Sequence, residues 1–167
     1  MGKFPKILVC LLLCCSLLCG CSTISLELDP IVVNEMDLTM SIPGYFEDMT
    51  ANAAVDIEGF FAYQYSEIVI NGLRDDYSVF EEVPTLEEYA NQLIANNSGQ
   101  IIAEVEIIDG MTTFTYRQLE GTDSYTYITA VFAGTEAFWM VTACCKTINF
   151  KSSKDKLVEI LKTTVVS

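Results

Sequence analysis

Every second residue from Met36 to Ile42 is apolar, and the residues between them are Asp37, Thr39 and Ser41. A period of two predicts a strand with one buried face, and Pro43-Gly44 ends it. Less regular apolar runs predict two further strands at 60–65 and 68–73, after an irregular or briefly helical stretch at 49–57.

The pattern changes to a helical period after Pro84. Thr85 can cap the backbone while Glu88, three residues later, reaches back to it. The predicted helix ends at Asn96-Asn97-Ser98-Gly99. Its apolar positions share one face, which is expected to pack on the domain: Leu86, Tyr89, Ala90, Leu93 and Ile94.

Asp109-Gly110 is a strong signal for a two-residue hairpin turn. Pairing Ile108 with Met111 places apolar residues opposite one another, Val105 with Phe114 and Ala103 with Tyr116. The polar residues then fall on the other face: Glu104, Glu106, Thr113, Thr115 and Arg117. In this register Glu104 lies diagonally across from Arg117, which favours a cross-strand ion pair over anion binding by the arginine.

Two more strands, at 124–133 and 136–147, are apolar on both faces. Strands of this kind lie in the middle of a sheet that is covered on two sides. A last helix, capped by Ser152 or Ser153, carries an apolar stripe of Leu157, Ile160 and Leu161. Together these elements predict an α+β domain, a curved antiparallel meander sandwiched by helices.

The chain opens with a short basic segment and an apolar run at 7–18, as in a secretory signal. The run leads into Leu18-Cys19-Gly20-Cys21, which resembles the lipobox of bacterial lipoproteins. The resemblance implies that Cys21 is the first mature residue and that its sulfur carries a diacylglyceryl group. A membrane-spanning helix is one alternative, but it would need about 20 apolar residues, more than the run at 7–18 provides. A plain cleaved signal is the other alternative. The expected organisation is a signal peptide at 1–20, a lipidated tether at 21–30 and one domain at 31–167.

Composition excludes several kinds of chemistry. The chain has no histidine, which rules out the usual hydrolytic triads and the two-histidine zinc helix, and nucleotide-binding motifs are missing as well. Of its seven cysteines, only Cys144 and Cys145 follow Cys21. Neighbouring residues of a strand point to opposite faces, which favours two small buried side chains over a disulfide between them. We expect no cofactor and no enzymatic activity.

The net charge is −14, from 23 acidic and nine basic residues. Such a charge repels phosphate backbones, so nucleic acid is excluded as a partner. Asp75, Asp76, Glu81 and Glu82 lie close together in the sequence, on an expected loop. They are interpreted as a patch that meets a basic envelope protein. A solvated acidic surface and a calcium site are the alternatives, although the spacing matches no EF-hand.

Aromatic side chains are frequent in the second half of the chain. At strand spacing they indicate a hydrophobic core, with a ligand cavity as the alternative. They are Phe114, Tyr116, Tyr125, Tyr127, Phe132 and Trp139.

Three segments are similar to a known superfamily. The stretch 41–46 (SIPGYF), the stretch 85–90 (TLEEYA) and an aromatic meander with Ala137-Phe138-Trp139, followed by a closing helix, resemble PsbP-like domains, including DcrB-type bacterial lipoproteins. The resemblance spans about residues 28–166. It implies an αβα sandwich that serves as an accessory or binding module, and it carries no functional residue over to this chain.

These observations predict where the protein is located and a general binding role, but no chemical reaction. The protein is expected at the extracytoplasmic face of the cell membrane, anchored through Cys21, as a noncatalytic interaction module. A lipoprotein that binds a small solute or lipid is the alternative, and an enzyme is the least favoured one.

The lipid anchor can be tested by metabolic labelling with a fatty acid. Cys21→Ser removes the only sulfur to which the lipid would be attached, so this variant should incorporate no label while the wild type does. The matched control replaces Cys144 and Cys145 with alanine and should leave labelling unchanged. Persistent label in Cys21→Ser, or a mature N-terminus other than Cys21, would contradict the lipobox interpretation.

Overall fold

The computed structural model describes residues 28–53 and 57–167. Its strands and helices, in chain order, are β1 (Ile31–Glu35), β2 (Leu38–Ile42), β3 (Glu47–Asp48), β4 (Phe61–Tyr65), β5 (Ile68–Asp76), α1 (Leu86–Ala95), β6 (Gln100–Ile108), β7 (Met111–Glu120), β8 (Asp123–Ala133), β9 (Ala137–Lys146), α2 (Thr147–Leu161) and β10 (Val165–Val166). The predicted signal peptide and Cys21 lie outside the described residues. No helix within the described ranges is long and apolar enough to cross a membrane.

Seven strands form one antiparallel sheet in the order β3-β4-β5-β9-β8-β7-β6. After β5 the chain passes through α1 to the far edge of the sheet at β6. It then returns strand by strand through β7 and β8, until β9 pairs with β5. The predicted α+β class and antiparallel meander are confirmed.

The sheet separates two hydrophobic cores. Tyr89, Ala90 and Leu93 of α1 pack in one core, whereas Leu157, Ile160 and Leu161 of α2 pack in the other. Alternate residues of β9 supply both cores, as expected for a strand covered on two faces. The layers are therefore helix, sheet and helix, and α1 and α2 lie on opposite faces.

A second sheet of three strands, in the order β1-β2-β10, was not predicted. It contributes Val33, Met40 and Ile42 to the core on the α2 side. The predicted strand at 36–42 is correct only from Leu38, because Met36 lies in the turn before it with φ 51° and is 56% exposed. The apolar alternation runs through this turn, which explains the error.

The start of the first predicted helix is confirmed, and the start of the second is wrong. Thr85 and Glu88 form the full capping box of α1. Helix α2 begins at Thr147, directly after β9, and not at Ser152 or Ser153. The Thr147 hydroxyl is hydrogen-bonded to the hydroxyls of Ser124 and Thr126 at 2.9 and 3.0 Å, so contacts with β8 fix this end of the helix.

The predicted hairpin has the expected turn, with Ile108 opposite Met111 and positive φ at Asp109 and Gly110. Two register shifts then change the pairing along β6, and Val105 falls within the shift between Ala103 and Glu106. Ala103 lies opposite Thr115 and not Tyr116, which is paired with Ile101.

The expected ion pair between Glu104 and Arg117 is wrong. The two shifts bring Gln100 opposite Arg117, and Arg117 forms no ion pair with any residue of the described ranges. The expected polar face is also only partly exposed to solvent, because Thr113 and Thr115 are buried.

Cys144 and Cys145 are buried thiols on opposite faces of β9, and no disulfide joins them. Burial raises the pKa of the Cys145 thiol, which disfavours the reactive thiolate. The interpretation of this pair as small buried side chains is confirmed.

Asp37, in the turn between β1 and β2, connects the two sheets. Its Oδ1 accepts a hydrogen bond from Trp139 Nε1 at 2.7 Å and lies 3.6 Å from Arg74 Nε. The Arg74 side chain is only 8% exposed and also pairs with Asp76. Gly59 packs against the Arg74 side chain and has a φ of 77°. A Cβ at this position would lie 2.7 Å from the Arg74 Cβ, so both the backbone conformation and the close contact require glycine.

Asp37→Ala should lower the free energy of unfolding by about 3 kcal/mol, because it leaves the buried indole N–H of Trp139 without its acceptor and the buried Arg74 with one carboxylate in place of two. Urea unfolding followed by the fluorescence of Trp139, the single tryptophan, measures the loss. Asp76→Ala is the matched control, since Asp76 is 53% exposed and its removal should cost less than about 1 kcal/mol. Equal losses in the two variants would contradict the role given to Asp37.

Candidate functional site

An open groove of about 530 Å³ runs between the segment 82–84 and the outer face of α1. Its lining combines two carboxylates and two amides with three apolar residues: Glu82, Glu88, Asn91, Gln92, Val83, Pro84 and Ala95. Side chains of this kind present hydrogen-bond acceptors and negative charge beside a small apolar surface.

The capping box fixes the position of Glu88 at the start of α1. Its Oε2 accepts hydrogen bonds from the backbone N–H and the hydroxyl of Thr85, both at 2.8 Å. These two bonds hold the pKa of Glu88 below its usual value. The groove therefore retains this negative charge in mildly acidic solution.

Tyr89 anchors α1 beneath the groove. Its hydroxyl donates a 2.6 Å hydrogen bond to Asp75 Oδ2, and its ring stacks on Phe138 of β9 with 4.3 Å between centroids. Phe80, from the segment that leads into the groove, meets both rings edge to face. The groove thus rests on an aromatic cluster that links this segment, α1 and the centre of the sheet.

Asp75 is a partly buried carboxyl in this cluster. Burial raises its pKa and the neighbouring Asp76 raises it further, whereas the hydrogen bond from Tyr89 acts in the opposite direction. Ionising Asp75 therefore opposes folding, and the Tyr89 hydroxyl compensates part of that cost.

The four residues of the predicted patch do not form one surface. Asp75 faces α1, while Asp76 pairs with Arg74 on the opposite side of β5. Glu81 and Glu82 are exposed after the strand, and Glu82 alone of the four lines the groove. Within the described ranges no three His, Cys, Asp or Glu side chains are arranged to hold a metal ion, so the calcium alternative has no ligand set there.

The sequence pattern does not identify three polar residues that line the groove: Glu88, Asn91 and Gln92. The capping pattern explains Glu88 as a partner of Thr85 and says nothing of the groove. The signal that could have identified all three is their spacing, because positions three and four apart share one face of a helix. That face lies opposite the apolar stripe and next to Pro84.

The aromatic residues that could have lined a cavity belong to the cores. Phe114, Tyr116, Tyr125 and Tyr127 are buried on the α1 side, and Tyr116 stacks on Tyr127 with 4.7 Å between centroids. Trp139 is buried on the α2 side, and Phe132 is half-buried there. The rings pack in two separate cores, which favours the core interpretation.

Comparison with known proteins relates the fold to solved structures only, since no family model and no curated protein matches the chain. The solution structure of cyanobacterial PsbP (CyanoP) from Synechocystis sp. PCC 6803 is similar, with TM-score 0.59 and 11% identity, covering 90% of this chain and 99% of that one. Mog1p, a Ran-binding protein of Saccharomyces cerevisiae, has TM-score 0.53 and 10% identity, with 83% and 95% covered. A protein from Bacteroides thetaiotaomicron has TM-score 0.53 and 12% identity, with 85% and 49% covered. The chain therefore has the fold of PsbP and Mog1p.

Asp75→Asn should change how stability depends on pH. Because the pKa of Asp75 is raised on folding, the wild type should lose stability as pH rises from about 3.8 through the raised value. Asp75→Asn has no carboxyl to ionise, so its free energy of unfolding should increase relative to the wild type over the same range.

Urea unfolding at several pH values measures this difference. Tyr89→Phe removes the hydrogen bond that lowers the pKa of Asp75. In this variant the loss of stability with rising pH should therefore extend to higher pH than in the wild type. Parallel pH profiles of the wild type and Asp75→Asn would show that the carboxyl is not perturbed by folding.

Proposed function

We propose that this protein is a noncatalytic interaction module of the cell envelope, tethered to the membrane by a lipid on Cys21. Its groove along α1 receives a short basic segment of another envelope protein. The observation that carries the proposal is the groove itself, in which Glu82 and Glu88 flank amides and a small apolar surface.

The charge of this side of the molecule is not compensated locally. Glu81, Glu82, Glu87 and Glu88 form no ion pair with any other described residue. Every lysine after Lys6 lies between Lys146 and Lys162. Lys146 is neutralised by Glu67 and Asp123, and the lysines of α2 lie on the other face of the sheet from α1. An acidic surface without its own counterions attracts a basic partner and accelerates the encounter.

The composition of the groove favours a peptide segment over a small ligand. It is open along its length, and its polar groups are hydrogen-bond acceptors and amides on a rigid helix. A lysine or arginine side chain can place its charge between the two carboxylates and its aliphatic part against Val83 and Pro84.

The fold is compatible with a binding role. Mog1p, which has this fold, is a Ran-binding protein. That likeness supports binding as a use of the fold, and the groove of this chain supplies the specific chemistry.

In-cell photo-crosslinking from position 91, on the groove side of α1, tests the proposal. A basic envelope protein should be captured, and the double variant Glu82→Gln with Glu88→Gln should reduce capture roughly tenfold, since two exposed ion pairs contribute about 1 kcal/mol or less each. Glutamine at position 88 retains the capping box, so α1 should stay folded.

The matched control is Glu104→Gln with Glu106→Gln, which removes the same charge from β6. This control should leave capture almost unchanged, and added salt should weaken capture in the wild type. Capture of no protein above background, or equal loss in both double variants, would contradict a role for the groove.

A further inference from the structure

The charges of the domain are distributed unequally across the sheet. Helix α1 contains Glu87 and Glu88 and no cation. Helix α2 contains Lys151, Lys154 and Lys156 against two acids, and Lys146 and Lys162 flank it. Helix α2 therefore has a small net positive charge, whereas α1 is acidic.

Some of these lysines are neutralised and others are not. Lys146 pairs with Glu67 and Asp123, and Lys162 pairs with Asp109, each at 3.1 Å. Lys151 and Lys154 have no ion-pair partner in the described ranges. They follow Ile148, an apolar residue in the first turn of α2 that is 88% exposed.

The chain enters the domain on this same side. The backbone at Leu28 and Asp29 lies against Gly44, where a Cβ would come within 2.0 Å of the Asp29 carbonyl oxygen. The next residue, Tyr45, has its ring 4.9 Å from Lys156 Nζ of α2. From Leu28 back to Cys21 there are seven residues, which span at most about 25 Å when extended.

We infer that the α2 side of the domain faces the anionic lipid headgroups of the membrane. This inference rests on the proposed lipid anchor, which brings the entry point of the chain close to the surface. The three lysines of α2 outnumber its two acids, Asp155 and Glu159, and attract anionic lipid. Ile148 can enter the interface, and the acidic α1 side is repelled. These forces act within about 8 Å of the surface at physiological salt, a distance that the short tether allows.

The orientation has a consequence for the groove. Since α1 and α2 lie on opposite faces of the sheet, a domain with α2 against the membrane presents the groove to the space beyond it. A partner can then reach Glu82 and Glu88 without competing with the headgroups.

The test uses the full lipidated protein in vesicles of phosphatidylcholine mixed equally with phosphatidylglycerol, or of phosphatidylcholine alone. A fluorophore is attached at Ile148→Cys on α2 or, as the matched control, at Asn91→Cys on α1, because the buried Cys144 and Cys145 should not react. Quenching by a headgroup-bound quencher reports which side is close to the membrane.

Three lysines against two acids leave α2 with a net charge of +1, which near an anionic surface favours one orientation by roughly fivefold. Position 148 should therefore be quenched more strongly than position 91 in the anionic vesicles. High salt, neutral vesicles, or Lys151→Glu with Lys154→Glu should remove most of this difference. Equal quenching, or stronger quenching at 91, would overturn the orientation. A difference that persists in neutral vesicles at high salt would overturn its electrostatic cause.

Vesicle flotation separates this inference from the anchor on which it rests. Wild-type protein that does not float with either kind of vesicle would refute the lipid anchor and the orientation with it. Protein that floats but shows no preference between the two labels would refute the orientation alone.

Discussion

The carboxylate of Asp37 is the interaction on which the arrangement of the two sheets depends. It lies in the turn between two strands of the three-stranded sheet, yet its partners Arg74 and Trp139 lie on the neighbouring strands β5 and β9 of the seven-stranded sheet. The backbone oxygen of the same residue accepts a hydrogen bond from the Ser167 amide, which fixes the C-terminal end of the chain. A buried arginine requires carboxylate partners, and Asp37 shares this role with Asp76. Among the described residues Asp37 alone connects the small sheet, the main sheet and Ser167.

The central strand β9 connects this corner to the groove. Trp139 holds Asp37 on one face, and its neighbour Phe138 stacks under Tyr89 on the other. Adjacent residues of a strand point in opposite directions, so a single peptide unit supports both the junction of the sheets and the floor beneath α1. The helix that carries the groove is thereby positioned by the most buried part of the protein.

Sequence predicted the elements whose signals are local. The capping box at Thr85 and the turn at Asp109-Gly110 each depend on a few neighbouring residues, and both are confirmed. The start of α2 depends on contacts between Thr147 and β8. The predicted ion pair of Glu104 with Arg117 does not form because the register of β6 shifts. Neither can be inferred from periodicity.

The candidate site was predicted only in part, for a related reason. Asp75 and Asp76 were grouped with Glu81 and Glu82 because they are close in sequence, on what was expected to be a loop. The strand β5 continues through both aspartates, which therefore face opposite sides of the sheet. Glu88, in contrast, was explained by its cap alone, although the same carboxylate also lines the groove.

The irregular pairing of β6 affects how this protein can associate with others. Among the described strands β6 is an edge of the main sheet, with exposed apolar side chains at Ile102 and Ile107. A regular edge of this kind would serve as a template for strand addition and aggregation, but the two register shifts of β6, together with Glu104 and Glu106, make it a poor one. A partner at this edge must recognise side chains, because extension of the sheet from β6 is disfavoured.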